Sequence, residues 1–391
     1  MAPVFRISGH GAITVVLHGL TPEESGEIRN ALRSVDGGAD QKSAPPSFSE
    51  QTFRDGATVP VLTGTADQIR EASRIIAAYG GRARALAEKI SSHLDNYLRS
   101  DYKMSCKGTV LDLGSRTHIM GILNVTPDSF SDGGRYADPE RALAHARDMV
   151  TAGADIIDIG GESTRPGALP LSEEEELRRI IPLIERLSAE LSIPLSVDTY
   201  KSSVARKALD AGASIVNDIS GLRFSPDMAM IAADAGAAVV IMHIKGTPRD
   251  MQQKPVYADV IGEISSFLAE GIELAERAGV SREKVLIDPG IGFGKTLEHN
   301  LTILGRLEEF RTLGRPIVLG TSRKKFIGTV LGIPGPDHRV LGSMATIALG
   351  IERGASVLRV HDVAETVQVA RMTDAIMRTT TGFSSSNRGN Q

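Results

Sequence analysis

Polar and charged side chains recur wherever a short apolar run of this 391-residue chain ends. In chain order they are Asn124, Glu162-Ser163-Thr164-Arg165, Asp198, Asn217, His243, Asp288, Ser322-Arg323-Lys324, and Arg359 with His361. A single residue of this kind could be a helix cap, because turns favour Asp, Asn and Ser. A whole set that meets at one end of a sheet predicts a common pocket instead.

Three of these residues indicate what the pocket could bind. Asp198, Asn217 and Asp288 follow apolar residues directly. Their side chains are therefore expected to be buried and to need hydrogen-bond partners. A flat heterocycle with adjacent N–H and NH2 groups, such as a pterin or a guanine, offers the donors. The alternative is that the carboxylates pair within the protein with Lys324 or Arg359.

A second group of side chains is suited to a diphosphate. Arg165, Arg359 and His361 supply positive charge or N–H donors, and planar guanidinium groups bind phosphate oxygens in pairs. Asn124 and Thr164 add neutral polar groups, and the amide oxygen of Asn124 could bind a Mg2+ that keeps most of its waters. Arg359 and His361 are two residues apart on a strand, so they point to one face. The alternative is that these are ordinary surface charges.

The elements that must position these residues form a regular series from residue 109 onward. Apolar runs alternate with amphipathic helices. The runs are His118–Val125, Asp155–Gly161, Pro194–Asp198, Ser214–Ile219, Ala238–His243, Val285–Pro289, Pro316–Ser322 and Val357–His361. Near-continuous apolar runs indicate a parallel sheet that is buried on both faces. The series predicts an α/β protein with a (β/α)8 TIM barrel. A doubly wound sheet is the alternative, which the absence of a glycine-rich dinucleotide turn disfavours.

The chain is expected to divide near residue 105. Residues 1–105 are expected to form a small α+β N-terminal domain of unknown role. We expect strands at Ala12–His18 and Val59–Thr63 and a long loop over Ser34–Gly56. Residues 106–380 are expected to form the barrel, and the Ser/Gly/Asn-rich residues 381–391 are expected to be a disordered tail. No ionisable residues with motif spacing occur before residue 105, so no activity is assigned to that part.

Composition excludes several classes of protein. Hydrophobic residues make up 41% of the chain, which supplies a large core and excludes a disordered protein. The lone Cys106 excludes a disulfide framework and a cysteine-built metal site, and it is consistent with a cytoplasmic protein. The longest apolar stretches, such as Ala235–Met242, are too short to span a membrane. A formal charge of -4 argues against a nucleic-acid partner.

Two features could be mistaken for catalytic motifs. Gly290–Thr296 is similar to a phosphate-binding P-loop, but the required spacing would place a glycine at Pro289. Its glycines are better explained by a loop that approaches a ligand closely. His243, between Met242 and Ile244, is interpreted as a hydrogen-bonded barrel residue rather than a catalyst.

Several segments together resemble the dihydropteroate synthase family, over roughly residues 106–380. They are Met120–Gly134, Gly160–Ala168, Ser196–Thr199, Asn217–Ile219, Asp288–Lys295, Ser322–Lys324 and Arg359–Val363. One departure is Ile244, where a methionine is expected, and this apolar exchange should alter the packing only mildly.

The resemblance implies a transferase of folate biosynthesis, the target of sulfonamides. It would condense 6-hydroxymethyl-7,8-dihydropterin diphosphate with 4-aminobenzoate to 7,8-dihydropteroate, by departure of diphosphate and attack of the amine. Mg2+ as cofactor and a homodimer, in contact through the late helices of the barrel, are also implied.

The resemblance also assigns roles to residues of this chain. The pterin site comprises Asp198, Asn217, Asp288, Lys324 and Arg359. The diphosphate site comprises Asn124, Thr164, Arg165, Arg359 and His361, with Asn124 also on Mg2+. The aminobenzoate site comprises Phe130, Thr164, Pro166, Phe293, Ser322 and Lys324. The catalytic residues are Asp198, Asp288, Lys324 and Arg359.

Two other functions remain open. A pterin-dependent methyltransferase domain shares the barrel and the Asp/Asn pterin site, but it does not need the Ser163–Pro166 loop or the Ser322–Lys324 segment. A non-catalytic pterin-binding protein would use the N-terminal domain for interactions and would bind its ligand without turnover.

Overall fold

A computed structural model describes residues 4–9, 12–18, 20–33, 46–52, 58–125, 139–165 and 167–386. The chain forms two compact units. One consists of Met1–Arg99 with Glu308–Gly314, and the other of Ser100–Leu307 with Arg315–Gln391. The division therefore lies between Arg99 and Ser100, whereas the sequence places it at residue 105.

The first unit contains an antiparallel sheet and three helices. The strands are β1 (Val4–Ser8), β2 (Ile13–His18), β3 (Ser47–Thr52) and β4 (Thr58–Gly64), in the order β1-β2-β4-β3. The helices are α1 (Pro22–Arg33), α2 (Ala66–Ala78) and α3 (Gly81–Leu98). Ile69, Ala72 and Ile76 lie on one face of α2 at helical spacing and enter the core of the unit.

Two strands of the first unit were not predicted. β3 falls inside the segment that was expected to be a loop, Ser34–Gly56. All of its residues except the half-buried Phe48 are exposed. Because the strand buries no face, its sequence lacks the alternation of apolar and polar residues that predicts a strand. β1 lies at the opposite edge of the same sheet.

The second unit begins with an antiparallel hairpin and continues as a closed parallel barrel. The hairpin strands are β5 (Lys103–Cys106) and β6 (Thr109–Asp112). The barrel strands are β7 (His118–Asn124), β8 (Ile156–Gly160), β9 (Leu195–Asp198), β10 (Ile215–Asp218), β11 (Ala238–Met242), β12 (Val285–Asp288), β13 (Ile317–Leu319) and β14 (Ala355–Val360). The helices are α4 (Pro139–Thr151), α5 (Glu173–Glu190), α6 (Ser202–Asp210), α7 (Met228–Asp234), α8 (Val260–Arg277), α9 (Leu297–Gly305), α10 (Lys325–Leu331), α11 (Val340–Glu352) and α12 (Val363–Ser386).

The barrel closes because β14 pairs in parallel with β7. Each of the eight strands overlaps one of the predicted apolar runs, so the (β/α)8 prediction is confirmed and the doubly wound alternative is wrong. The hairpin explains the earlier start of this unit. Its residues Met104, Cys106 and Leu111 are buried in one core with strand residues of the barrel.

Alternation along the strands separates the barrel core from the pocket. Ile156, Ile215, Leu286 and Val357 belong to the core that the hairpin enters. The residues two positions farther along, on the same faces of these strands, are Asp158, Asn217, Asp288 and Arg359. The interior is therefore apolar near the hairpin and polar at the carboxyl ends of the strands.

The last helix, α12, extends to Ser386, into the segment that was expected to be a disordered tail. Its final turns contain Ser, Thr and Gly, which weaken a helix, but no proline, which would end it. Residues 387–391 lie outside the described part of the chain. Among the helices that the structure describes, none combines the length and the apolar character that a membrane span requires.

Candidate active site

Two carboxylates, a guanidinium group and an amide meet at the carboxyl ends of the barrel strands, where the sequence predicts a pocket. Arg359 on β14 donates from Nε to Asp158 Oδ2 and from a terminal nitrogen to Asp198 Oδ2, each at 2.6 Å. Asn217 Nδ2 on β10 also donates to Asp158 Oδ2, at 3.0 Å. Of the predicted carboxylates, Asp198 therefore pairs with Arg359 within the protein. We call Asp158, Asp198, Asn217 and Arg359 the pocket floor.

The pocket floor also contains acceptors that remain unsatisfied. Asp158 Oδ1 and Asp198 Oδ1 are buried, and neither has a hydrogen-bond partner within the described residues. A buried acceptor without a donor costs about 1–3 kcal/mol. A ligand that brings N–H groups to these two oxygens would recover that energy.

Burial and neighbouring charges shift the pKa values of the ionisable side chains at and around the pocket floor. It raises the pKa of Asp198 to about 7, against the lowering effect of Arg359. Burial also raises the pKa of Asp288, although the backbone N–H of Gly290 donates to its Oδ1 at 2.7 Å and opposes this rise. For Arg359, burial alone would lower the pKa, but the nearby carboxylates outweigh it and raise the pKa. The guanidinium group therefore stays charged.

Lys324 lies next to the loop that follows β12. Its Nζ is 4.2 Å from the centroid of the Phe293 ring, within the range of a cation–π interaction. A Cβ added at Gly292 would lie 3.3 Å from Lys324 Cδ, so the glycine allows a close approach. Burial lowers the pKa of Lys324 to about 8, and Arg359 adds to this effect while Asp288 opposes it.

The segment Ser322–Lys324 sends its side chains in different directions. Arg323 has a left-handed backbone conformation, with φ of 57°, which is strained for a residue with a side chain. Its guanidinium group donates to both carboxylate oxygens of Asp362, at 3.1 and 2.5 Å. The residues on either side of Arg323 contact other members of the site, whereas Arg323 itself is held by Asp362.

Ser322 orients His361. The backbone N–H of His361 donates to Ser322 Oγ at 3.2 Å, and the same Oγ lies 3.0 Å from His361 Nδ1. Burial and the nearby Arg359 lower the pKa of His361 to about 4, so its ring is neutral at neutral pH. When the hydroxyl of Ser322 donates to Nδ1, the ring proton resides on Nε2, where it can be donated to an anion.

Asn124 lies at the end of β7 and is paired with Gly160 of β8, which is paired in turn with Asp198 of β9. A Cβ added at Gly160 would lie 3.7 Å from Asn124 Oδ1 and 3.6 Å from Asp198 Oδ2. Both side chains therefore lie near Gly160 at the rim of the barrel.

The remaining predicted residues lie in the loops. Thr164 is half-buried and Arg165 is exposed, both in the loop that follows β8. Phe130 and Pro166, which were assigned to the aminobenzoate site, lie outside the described residues.

The segment that is similar to a P-loop uses its lysine for internal contacts. Lys295 Nζ is 2.8 Å from His243 Nδ1 and donates to the carbonyl of Phe293 at 2.9 Å. Burial lowers the pKa values of both Lys295 and His243. Gly290 has φ of +69°, and a Cβ there would lie 1.9 Å from the carbonyl oxygen of His243. The glycine thus allows the loop to pass close to β11.

Comparison with known proteins identifies the family of this chain. The model of a family described as pterin binding enzymes matches residues 120–361, well over half of the chain. A dihydropteroate synthase of Synechocystis sp. is 50% identical over 270 residues, which cover 69% of this chain and 93% of that protein. This chain belongs to the dihydropteroate synthase family. The resemblance inferred from the sequence motifs is therefore confirmed.

Two further matches in the family bear on the site and on the first unit. A solved structure of the Xanthomonas albilineans dihydropteroate synthase in complex with 7,8-dihydropteroate is 45% identical, with a TM-score of 0.64. The match covers 70% of this chain and 98% of that one. A probable bifunctional folylpolyglutamate synthase/dihydropteroate synthase of Halobacterium salinarum is 40% identical over 373 residues. It covers 95% of this chain and 44% of that protein, so the similarity extends into the first unit.

Asp158 is the member of the pocket floor that the sequence analysis missed. The predicted site residues follow the end of each apolar run, and for β8 these begin at Glu162. Strand alternation carries the missing signal, because Asp158 is the one charged residue among the apolar and glycine positions of Ile156–Gly160. An acidic residue in the middle of a buried strand requires partners, and here these are Arg359 and Asn217.

Proposed function

We propose that this chain is a dihydropteroate synthase. It condenses 6-hydroxymethyl-7,8-dihydropterin diphosphate with 4-aminobenzoate to give 7,8-dihydropteroate and diphosphate. The observation that carries this proposal is the pocket floor, where Asp158 Oδ1 and Asp198 Oδ1 are buried acceptors without a partner among the described residues. The pterin ring carries adjacent N–H and NH2 donors, which match acceptors of this kind.

The pterin is held by the acceptors of the floor and of β12. Asp158, Asp198 and Asp288 accept hydrogen bonds from its N–H groups, and Asn217 contributes an amide that can both donate and accept. Arg359 lies against the ring. Because these residues come from separate strands of a closed barrel, they fix the orientation of the flat ring.

The charges of the site favour departure of the diphosphate. When the C–O bond at the pterin methylene breaks, positive charge develops on the methylene and the dihydropterin ring. The carboxylates of Asp198 and Asp288 stabilise this charge. Arg165, Arg359 and Thr164 bind the departing anion, and His361 donates from Nε2.

The residues at the rim also fit a Mg2+ ion. Asn124 offers an amide oxygen at the end of β7, and oxygen donors are the ligands that Mg2+ prefers. The described residues contain no group of three or more His, Cys, Asp or Glu side chains that could hold a metal. One amide ligand suits a Mg2+ that is otherwise bound by water and phosphate oxygens. When bound, the ion would neutralise charge on the leaving group.

The amine of 4-aminobenzoate attacks the methylene carbon, forms the C–N bond and loses a proton to solvent. Phe293, Ser322, Lys324 and Thr164 form its binding site, together with Phe130 and Pro166 from outside the described residues. The ring of Phe293 provides an apolar surface, and Lys324 provides a positive charge beside it. The aniline nitrogen reacts as the neutral amine, so no strong base is required.

A homodimer through the late helices is a further part of the proposal. α10 and α12 each contact α11, and these helices expose large apolar side chains. They are Val330, Leu331, Leu341, Leu349, Met372 and Ile376, of which Leu341 is 83% exposed. Exposed apolar side chains that gather in one patch mark protein interfaces, and these neighbouring helices are where we expect that patch. Sedimentation should give twice the mass of one chain, and Leu341→Lys should shift the protein towards the monomer. A wild-type monomer at micromolar concentration would contradict the dimer.

Turnover by the purified chain separates this function from its competitors. Diphosphate release should require both 6-hydroxymethyl-7,8-dihydropterin diphosphate and 4-aminobenzoate, and one 7,8-dihydropteroate should form for each diphosphate. A pterin-dependent methyltransferase would show no such release. A non-catalytic pterin-binding protein would bind the pterin without forming product, and either result would overturn the proposal.

A further inference from the structure

A half-buried lysine that is not among the proposed substrate contacts lies between the two ends of the β8–α5 loop. Lys201, just before α6, donates from Nζ to Glu176 Oε2 at 2.6 Å and to the carbonyl of Leu171 at 2.7 Å. It also forms an ion pair with Glu162. Glu162 follows β8, and Leu171 precedes α5. One ammonium group therefore holds both ends of the loop.

The side chains that contact Lys201 are largely shielded from solvent and also form hydrogen bonds with other residues. The exposed fractions of the side chains are 12% for Lys201, 7% for Glu162 and 1% for Glu176. Tyr200 donates its hydroxyl to the second carboxylate oxygen of Glu162, at 2.7 Å. Buried charges are costly without partners, so this arrangement disfavours any position of Glu162 away from Lys201.

The loop held in this way carries two residues of the proposed diphosphate site. Thr164 and Arg165 lie between Glu162 and Leu171. Arg165 is exposed, so packing of its own side chain does little to fix its position. The placement of its guanidinium group therefore depends on the backbone of the loop. Lys201 holds this backbone at its two ends, and the N–H of Gly167 also donates to the carbonyl of Pro248 at 3.0 Å.

We propose that Lys201 is a positioning residue, which holds the ends of the β8–α5 loop so that Thr164 and Arg165 meet the diphosphate of the first substrate. This inference rests on the proposed function. Lys201 acts mainly at the diphosphate end of the substrate, because none of the groups that contact it directly belongs to the pocket floor. Its partner Glu176 affects the floor only through its charge, which helps to raise the pKa of Asp198.

Lys201→Met tests the inference through two ligands that differ only in the diphosphate. The Kd of 6-hydroxymethylpterin diphosphate should rise about tenfold to 100-fold, as expected when a binding group is misplaced. The Kd of 6-hydroxymethylpterin should change much less, because Lys201 makes no direct contact with the pocket floor. In turnover, KM for the pterin diphosphate should rise more than kcat falls. Lys207→Met, which replaces an exposed lysine of α6, is the matched control.

A double-mutant cycle separates positioning from a general loss of structure. In an Arg165→Ala background, Lys201→Met should weaken diphosphate binding much less than it does in the wild-type chain, since Lys201 acts partly through Arg165. Lys201→Arg keeps the charge and should restore most of the affinity. Glu162→Gln keeps the shape of the side chain and provides the same test if Lys201→Met does not fold.

The possible failures are distinguishable. A wild-type chain that does not turn over the two substrates refutes the proposed function, whatever Lys201 does. If the wild-type chain is active, an unchanged Kd for the diphosphate ester in Lys201→Met overturns the inference. Equal losses for both pterin ligands, together with a lower Tm, would also overturn it by assigning Lys201 a purely structural role.

Discussion

Replacing Arg359 by methionine tests the charge balance of the pocket floor. Arg359 donates to both Asp158 and Asp198 at 2.6 Å, and Asp158 is completely buried. Methionine fills a similar volume but leaves the two carboxylates without this cation. Removing one partner of a buried ion pair costs about 3–5 kcal/mol, and we expect a loss of this size in the free energy of unfolding at pH 8.

The loss should shrink as the pH falls. Burial raises the pKa of Asp198 to about 7 in the wild-type chain, well above the value of an unfolded Asp. Protonation of Asp198 therefore stabilises the folded chain. This contribution is fully present below the pKa of Asp198 in the unfolded chain, and it is lost as the pH rises through the pKa of about 7 in the folded chain. Between pH 8 and pH 6 the wild-type chain gains about 1.4 kcal/mol from this proton. A variant in which Asp198 titrates above pH 8 gains up to about 2.7 kcal/mol over the same interval.

Urea unfolding of the variant and the wild-type chain at both pH values measures this difference. The destabilisation by Arg359→Met should be smaller at pH 6 by up to about 1.4 kcal/mol. Arg206→Met, an exposed arginine on α6, controls for the loss of charge in general. Diphosphate release should fall more than about tenfold, since Arg359 also contacts the substrate. Equal destabilisation at the two pH values, or wild-type turnover, would refute this account of the floor.

Three other changes test individual parts of the site. Asp158→Asn should weaken binding of 6-hydroxymethylpterin by about 1–3 kcal/mol in calorimetry, because it replaces an acceptor by a group that also donates; wild-type affinity would contradict the role of Asp158. The pKa of Lys324 is about 8, so kcat/KM should fall as the pH rises through this value, and Lys324→Arg should remove the decline; a decline that persists belongs to another group. Chelation of divalent cations should abolish turnover and Mg2+ should restore it, with Asn124→Ala requiring roughly tenfold more Mg2+; unchanged Mg2+ dependence would exclude Asn124 as a ligand.

The barrel was predictable because its strands are buried on both faces and so appear as near-continuous apolar runs. The edge strands of the first unit have no such signal, and β3 was assigned to a loop for that reason. β13 covers only Ile317–Leu319 of the predicted run Pro316–Ser322, because Gly320 and the residues after it form the turn towards the site.

The site was predictable where a polar residue ends a strand, as Asp198 and Asp288 do. Asp158 was missed because it lies inside a strand, where only the alternation of faces distinguishes it from an ordinary buried residue. The direction of Arg323 depends on Asp362, a partner on a different strand end, and the motif alone does not contain that information. The contacts of Lys201 likewise join residues that are far apart in the sequence.

The central claim is that the pocket floor binds the pterin ring. A crystal structure of the chain with 6-hydroxymethylpterin diphosphate, Mg2+ and 4-aminobenzoate tests it most directly. We predict pterin N–H groups within hydrogen-bond distance of Asp158 Oδ1, Asp198 Oδ1 and Asp288, with the diphosphate near Asn124 and His361. A pterin bound elsewhere, with both Oδ1 atoms still without a donor, would contradict the claim.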